Sequence, residues 1–191
     1  MNRVIFLSID GVLNNSKTAM YDKYRKINKE MAAVLTQIIN ETGAKIVLTD
    51  CRAYDKCSLN DFEYVKEYIE ENIGPIYKVL CPVNGLENKG KNITQFLYRN
   101  YELNDEAVDY IILDNNYRDY DKYNCIYNHL FICDDSVGLN SASIDLYEYN
   151  KHCNGDAGTK YMDNKGYLSD FTSYVMSKLY PGLFETGKDL A

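Results

Sequence analysis

The chain has 191 residues, of which 46% are hydrophobic and 26% charged, and its formal net charge is −7 at pH 7. This balance suits one soluble domain with a sizeable core, and the negative charge argues against a broad nucleic-acid-binding surface, although one small positive pocket remains compatible with it. No segment approaches the roughly 18 apolar residues of a membrane span, no signal-like segment opens the chain, and the cysteines form no C-x-x-C pair, so we expect a cytoplasmic protein with reduced thiols and no membrane contact.

The first part of the chain alternates between short apolar runs and a helical pattern. Arg3–Ile9 is a nearly continuous apolar run and predicts a buried strand of a parallel sheet. Apolar residues then recur at helical spacing over Ile27–Glu41, and Gly43 is the predicted stop of that helix. Ala44–Leu48 predicts a second buried strand.

The same alternation continues through the middle of the chain. Ser58 or Asn60 is the predicted cap of a helix that runs to about residue 72. Ile76–Cys81 predicts a third strand, and Lys89–Asn100 predicts the next helix.

Two further strands are predicted at Tyr110–Leu113 and His129–Cys133, followed by a helix over 140–149, a loop over 151–165 and a closing helix over 167–180. Alternating strands and helices predict a three-layer, Rossmann-like α/β fold, with a mostly parallel central sheet flanked by helices. Because no linker interrupts the pattern, we expect residues 1–191 to form one domain, with a core over about 1–150 and a C-terminal loop and helix over 151–191.

Polar residues follow the predicted strands or begin the predicted helix between them. Open parallel sheets bind ligands outside the carboxyl ends of their strands, so these residues are candidates for a site. Each taken alone could simply end a strand or cap a helix, but together they mark one edge of the sheet. They are Ser8, Asp10, Thr49, Arg52, Lys89 and Asp114.

Four stretches carrying these residues resemble, in order and spacing, the motifs of the haloacid-dehalogenase-like (HAD) phosphatases. They are FLSIDGVLN at 6–14, KIVLT at 45–49, Lys89-Gly90, and YIILDNN at 110–116. The resemblance covers about residues 1–140 and is closest to the small HAD domains of RNA-repair proteins, which have no large cap domain. In that subgroup a Ser-Trp-Arg run and a Gly-Leu pair are common, and 50–52 and 138–139 look like altered versions of them.

The resemblance implies a two-step phosphoryl transfer that requires Mg²⁺. The first Asp of motif one would attack phosphorus, and the second, here Asp10, would serve as general acid and base. Thr49, Lys89 and Arg52 would hold the phosphate. Mg²⁺ would be bound by the nucleophile carboxylate, the backbone carbonyl of Asp10 and the motif-four acid Asp114. Asn115 or Asp119 are further candidate ligands.

Two residues depart from the family pattern. Ser8 occupies the nucleophile position, and Asn115 stands where this subgroup usually has a second acid. A phosphoserine is a monoester, which hydrolyses far more slowly than an acyl phosphate, and a serine brings Mg²⁺ no charge. We therefore expect weak or lost Mg²⁺ binding and weak or absent phosphatase activity.

Three explanations of Ser8 remain open at this point. The chain is a pseudophosphatase that binds a phosphorylated ligand or a protein, or it is a weakly active enzyme in which Asp10 or Asp119 has taken over a metal role, or it is an engineered Asp-to-Ser variant of an active phosphatase. A domain without a cap has an open site, which suits a nucleic-acid end or a phosphoprotein better than a small metabolite.

Overall fold

The computed structural model describes residues 2–15, 27–49, 59–80, 88–102, 107–116, 118–120, 122–127, 129–133, 138–139 and 175. No helix among them is long and apolar enough to cross a membrane. The described strands and helices follow one another along the chain as β1 (Asn2–Leu7), α1 (Lys29–Thr42), β2 (Lys45–Leu48), α2 (Leu59–Asn72), β3 (Ile76–Val79), α3 (Lys89–Tyr101), β4 (Val108–Asp114), α4 (Asn124–Tyr127) and β5 (Leu130–Ile132).

The five strands form one parallel sheet in the order β3-β2-β1-β4-β5. The chain starts in the centre of the sheet, builds outward to β3 and then crosses over to β4 on the other side of β1. This arrangement confirms the predicted α/β fold.

Two apolar cores lie on opposite faces of the sheet, because side chains alternate between faces along a strand. Ile5 and Leu7 of β1 belong to the first core, which also contains buried residues of α1 and α2. Val4 and Phe6 belong to the second core together with Ile93 of α3 and other residues of that helix. All four of these β1 side chains are fully buried. Helices therefore cover both faces, as expected of a three-layer fold.

The ends of α1 follow from local capping. The Asn28 side chain accepts hydrogen bonds from the backbone N–H groups of Glu30 and Met31, which satisfies two of the donors left open at a helix start. Gly43 ends the helix, as predicted, with a φ of 66° that favours a residue without a Cβ. The prediction of Asn60 as a cap is wrong, because Asn60 lies inside α2, and Ser58 lies outside the described residues.

Some of the remaining predicted elements differ from the structure, and others lie outside the described residues. β4 is longer than predicted and includes Asp114 as its last residue, while the four-residue α4 was not predicted, since so short a helix has no apolar period. The predicted elements over 140–149, 151–165 and 167–180 lie outside the described residues, apart from Val175, which is helical and buried in the first core. Both described cysteines are thiols, with Cys125 exposed and Cys133 buried.

Candidate functional site at the carboxyl edge of the sheet

Three polar residues lie level with one another where the central strands end. Leu7 is paired with the last residue of β2 and with Leu113 of β4. The pattern continues by one residue, since the Ser8 N–H donates to the Leu113 carbonyl and the Thr49 N–H to the Leu7 carbonyl, both at 2.9 Å. Ser8 therefore lies between Thr49 and Asp114, about 5 Å from each at the usual strand spacing. All three are buried, at 0%, 3% and 0% exposure.

Lys89 joins two of these residues from the first turn of α3. Its ammonium donates to the Ser8 hydroxyl at 3.0 Å and to Asp114 Oδ2 at 2.9 Å. α3 covers the second core, which is the face opposite Leu7, so alternation along β1 turns Ser8 toward this helix. Residues far apart in the sequence thus meet because α3 begins at the carboxyl edge.

The Asp114 carboxylate is fully buried and accepts hydrogen bonds from Lys89 and from two residues of the loop after β4. Besides the bond from Lys89, Oδ2 accepts from the Tyr120 hydroxyl at 2.7 Å, and Oδ1 accepts from the Asn116 backbone N–H at 3.0 Å. A buried charge is tolerated when an opposite charge and hydrogen-bond donors surround it. Tyr120 and Asn116 complete the site from the loop after β4, and we did not predict either of them.

Asp10 lies in the turn that follows Ser8 and is held there by Asn14. The Asn14 side chain donates to Asp10 Oδ1 at 3.1 Å and accepts from the Gly11 backbone N–H at 3.1 Å. Gly11 has a φ of 71°, and a Cβ on it would lie 2.3 Å from Nδ2 of Asn115. The turn packs directly against the loop after β4, so only glycine fits at position 11.

Thr49 presents a buried hydroxyl without a hydrogen-bond partner among the described residues. A buried polar group left in this state costs about 1–3 kcal/mol, so such groups usually have a ligand or a water as their partner. Because Thr49 is adjacent to Ser8, its hydroxyl is suited to donate to a ligand bound at Ser8 and Lys89.

The other candidates differ in their placement. Arg52 lies outside the described residues. Asp119 connects the loop to α3, since its carbonyl accepts from the Gly90 N–H at 3.2 Å and its carboxylate accepts from the Asn116 side chain at 3.3 Å. A Cβ on Gly90 would lie 2.6 Å from the Asp119 carbonyl oxygen, so this close approach requires glycine.

A comparison with known families shows to which family this fold and these motifs belong. Residues 4–144 match the model of the HAD domain in Swiss Army Knife RNA repair proteins. The chain belongs to this family. Searches of curated proteins and of solved structures found no match. The matched range contains all four predicted motifs and the described strands except the first two residues of β1, and the predicted resemblance to a HAD domain without a cap is confirmed.

HAD domains typically use Mg²⁺, which requires suitable oxygen ligands at the site. Mg²⁺ is bound mainly by carboxylates and other oxygen ligands. Here the Asp114 carboxylate is already paired with the Lys89 ammonium and held by two further donors. Ser8, at the neighbouring strand end, offers a neutral hydroxyl and no second carboxylate. These residues therefore do not fit a resident Mg²⁺ ion.

Proposed function

We propose that this HAD domain binds phosphate monoesters at the carboxyl edge of its sheet, and that Ser8 leaves it with weak phosphatase activity or none. The observation that supports this proposal is the position of Lys89. Its side chain is largely buried, with 18% exposed, and its ammonium donates to the Ser8 hydroxyl. A buried cation beside the position from which the family attacks phosphorus is suited to hold a phosphate oxygen.

Two hydroxyl groups complete the proposed phosphate site. Thr49 has a buried hydroxyl without a described partner, and Ser8 lies just after the neighbouring strand β1. Together with Lys89 they offer donors to more than one phosphate oxygen, and a phosphate group is a strong acceptor. This set binds an anion even if no chemistry follows.

The chemistry of Ser8 supports the weak-activity part of the proposal. Attack by the Ser8 oxygen would transfer the phosphoryl group from the ester oxygen to serine, with the Ser8 proton released to solvent while Asp10 protonates the leaving oxygen. The product, a phosphoserine, is a monoester like the substrate and hydrolyses slowly. Lys89 is poorly suited to accept the Ser8 proton, because the Asp114 carboxylate at 2.9 Å stabilises its charged form.

The proposed ligand is a phosphorylated nucleic-acid end. The family takes its name from RNA repair proteins, and its members lack a cap that would enclose a small substrate. The net charge of −7 favours recognition of the end at one positive residue over contact with a long backbone. A phosphoprotein is the second candidate, since an open edge also admits a phosphorylated side chain.

Isothermal titration with a 3′-phosphorylated oligonucleotide, its 3′-hydroxyl counterpart and a phosphopeptide tests the proposal. We expect the 3′-phosphorylated oligonucleotide to bind at least about tenfold more tightly than the 3′-hydroxyl form, because only the former can pair with Lys89. Thr49→Val should weaken binding of the phosphate while leaving the unliganded protein equally or more stable, since it removes a buried hydroxyl without a partner. Equal affinity for both oligonucleotides would overturn the phosphate site, and tighter binding of the phosphopeptide would change the ligand class.

A turnover assay separates a weak enzyme from a pseudophosphatase. Release of inorganic phosphate from a generic phosphomonoester is measured for the unmodified chain and for Asp10→Asn. Turnover that the variant abolishes would establish an enzyme, because Asp10 is the predicted general acid and base. Equal background rates would establish a binding domain.

A further inference from the structure

We propose that the Lys89–Asp114 ion pair takes the place of the divalent cation, so that phosphate binding at this edge is independent of Mg²⁺. The proposal rests on the proposed function, since it concerns how the same site holds a phosphate. Its basis is the disagreement between the family's typical use of Mg²⁺ and the contacts that Asp114 makes in this chain.

The charges of the site balance one another. Lys89 and Asp114 are opposite charges 2.9 Å apart, and Ser8 adds no charge beside them. An aspartate at position 8 would place a second carboxylate around the same ammonium and leave an excess negative charge, which would repel a phosphate dianion unless another cation were bound. With serine the buried pair is balanced. The phosphate therefore meets no buried excess of negative charge.

Asp10 is a further carboxylate in this region of the described chain, in addition to Asp119 of the loop after β4. It is half-buried in the turn after Ser8, and the Asn14 side chain donates to its Oδ1. Its charge is therefore oriented toward Asn14 and is partly solvated, in contrast to that of Asp114. This placement reduces its repulsion of a bound phosphate.

The hydrogen bonds to Asp114 oppose the approach of a second cation. Both Lys89 and Tyr120 donate to Oδ2, at 2.9 and 2.7 Å, and the backbone of Asn116 donates to Oδ1. A cation that approached Oδ2 would have to displace an ammonium and a hydroxyl donor. Its positive charge would also meet that of Lys89.

Tyr120 is the positioning residue of this arrangement. Its side chain is fully buried in the second core, which fixes the ring, and its hydroxyl fixes the carboxylate that in turn orients Lys89. The loop that carries Tyr120 is connected to α3 by the bond from the Gly90 N–H to the Asp119 carbonyl. Tyr120 therefore acts on the phosphate through Asp114 and Lys89, without being placed to touch it.

Titration of the full chain with inorganic phosphate, once in excess MgCl₂ and once in EDTA, tests the proposal. We expect the two dissociation constants to agree within about twofold. The charge-neutral double variant Lys89→Met/Asp114→Asn should lose binding in both buffers, because it removes the ammonium while leaving no buried carboxylate unmatched. Lys91→Met, a charge removal in the same turn of α3, is the matched control and should retain the affinity.

Tyr120→Phe tests the positioning role and has Tyr123→Phe, in the same loop, as its control. Loss of one hydrogen bond to a charged group should weaken phosphate binding by about tenfold in both buffers. In protein labelled with ¹⁵N-lysine, the Nζ resonance of Lys89 should shift in Tyr120→Phe and not in Tyr123→Phe. A purely structural role would lower the melting temperature without moving that resonance.

The outcomes distinguish this inference from the proposed function. Phosphate binding that appears only with MgCl₂, or that tightens more than about tenfold with it, would overturn metal independence and leave the phosphate site in place. An unchanged affinity in Tyr120→Phe would overturn the positioning role. No phosphate binding in either buffer would overturn the proposed function itself.

Discussion

Ser8→Asp should convert the domain into a Mg²⁺-dependent phosphatase, at a cost in stability when the metal is absent. Ser8 is fully buried, and both its hydroxyl and Asp114 Oδ2 lie within 3.0 Å of the same Lys89 ammonium. A carboxylate at position 8 would therefore lie about 5–6 Å from that of Asp114. At an effective dielectric constant of about 20, this repulsion costs about 3 kcal/mol, and burial of a second carboxylate adds a desolvation penalty that one ammonium shared by two carboxylates does not fully offset.

Mg²⁺ should offset that cost in the variant, because two carboxylates would then share one cation. At a concentration 100-fold above its dissociation constant, a ligand stabilises the folded state by about 2.7 kcal/mol. For a domain of this size that corresponds to a rise in melting temperature of roughly 5–11 °C. The unmodified chain should show little rise, since Asp114 is already paired with Lys89.

Phosphate release should rise with metal affinity, because the same carboxylate restores both the nucleophile and a labile acyl-phosphate intermediate. Removal of a covalent nucleophile costs on the order of 10⁶ in kcat in a serine protease, so a gain of about 10³-fold or more is a modest expectation. Ser8→Asn is the control, because asparagine has nearly the shape of aspartate but no charge. It should gain neither activity nor a response to Mg²⁺.

The assays are thermal unfolding with and without MgCl₂ and phosphate release from several phosphomonoesters, including a 3′-phosphorylated oligonucleotide. A folded Ser8→Asp protein without added turnover and without stabilisation by Mg²⁺ would refute the reasoning. The scaffold would then have changed beyond its nucleophile, and a binding-only domain would replace the enzymatic account.

Three other substitutions test the supports of the site. Gly90→Ala should destabilise the domain by about 1–3 kcal/mol and weaken phosphate binding, because the new Cβ collides with a backbone oxygen. Gly43→Ala is the control: its Cβ meets open space, so it should cost about 1 kcal/mol of backbone strain and leave phosphate binding unchanged. Urea unfolding and phosphate titration measure the stability and the binding of both variants. Asn14→Ala should lower kcat in the Ser8→Asp background while leaving its stabilisation by Mg²⁺ intact, since it releases the acid–base carboxylate of Asp10, whereas the metal would use only the Asp10 backbone carbonyl; equal loss of both would contradict this. Lys89→Met should cost about 3–5 kcal/mol by leaving a buried carboxylate unmatched, and adding Asp114→Asn should recover most of that loss in urea unfolding.

Much of the fold was predictable because each buried parallel strand corresponds to a short run of apolar residues in the sequence. The apolar runs that predicted β1 and β2 end within two residues of the observed strands, and the helical spacing before Gly43 predicted α1. The meeting of Ser8, Lys89 and Asp114 was also predictable, because a parallel sheet brings the residues after its strands to one edge.

The supporting residues could not be predicted in the same way. Tyr120 is one of 19 tyrosines, and nothing in its neighbourhood marks it as the one whose hydroxyl reaches Asp114. Asn14 stands within a predicted motif, yet its bond to Asp10 depends on the turn at Gly11. Such contacts are set by loop geometry, which apolar periodicity does not encode.

The most direct test of a phosphate site at this edge is a titration of the ¹⁵N-labelled domain with inorganic phosphate, followed by nuclear magnetic resonance. The account predicts saturable shifts of the Ser8 and Thr49 amides and of the Lys89 Nζ resonance, and their loss in the Lys89→Met/Asp114→Asn variant. Saturable shifts confined to other parts of the chain, or no shifts at these three residues, would contradict it.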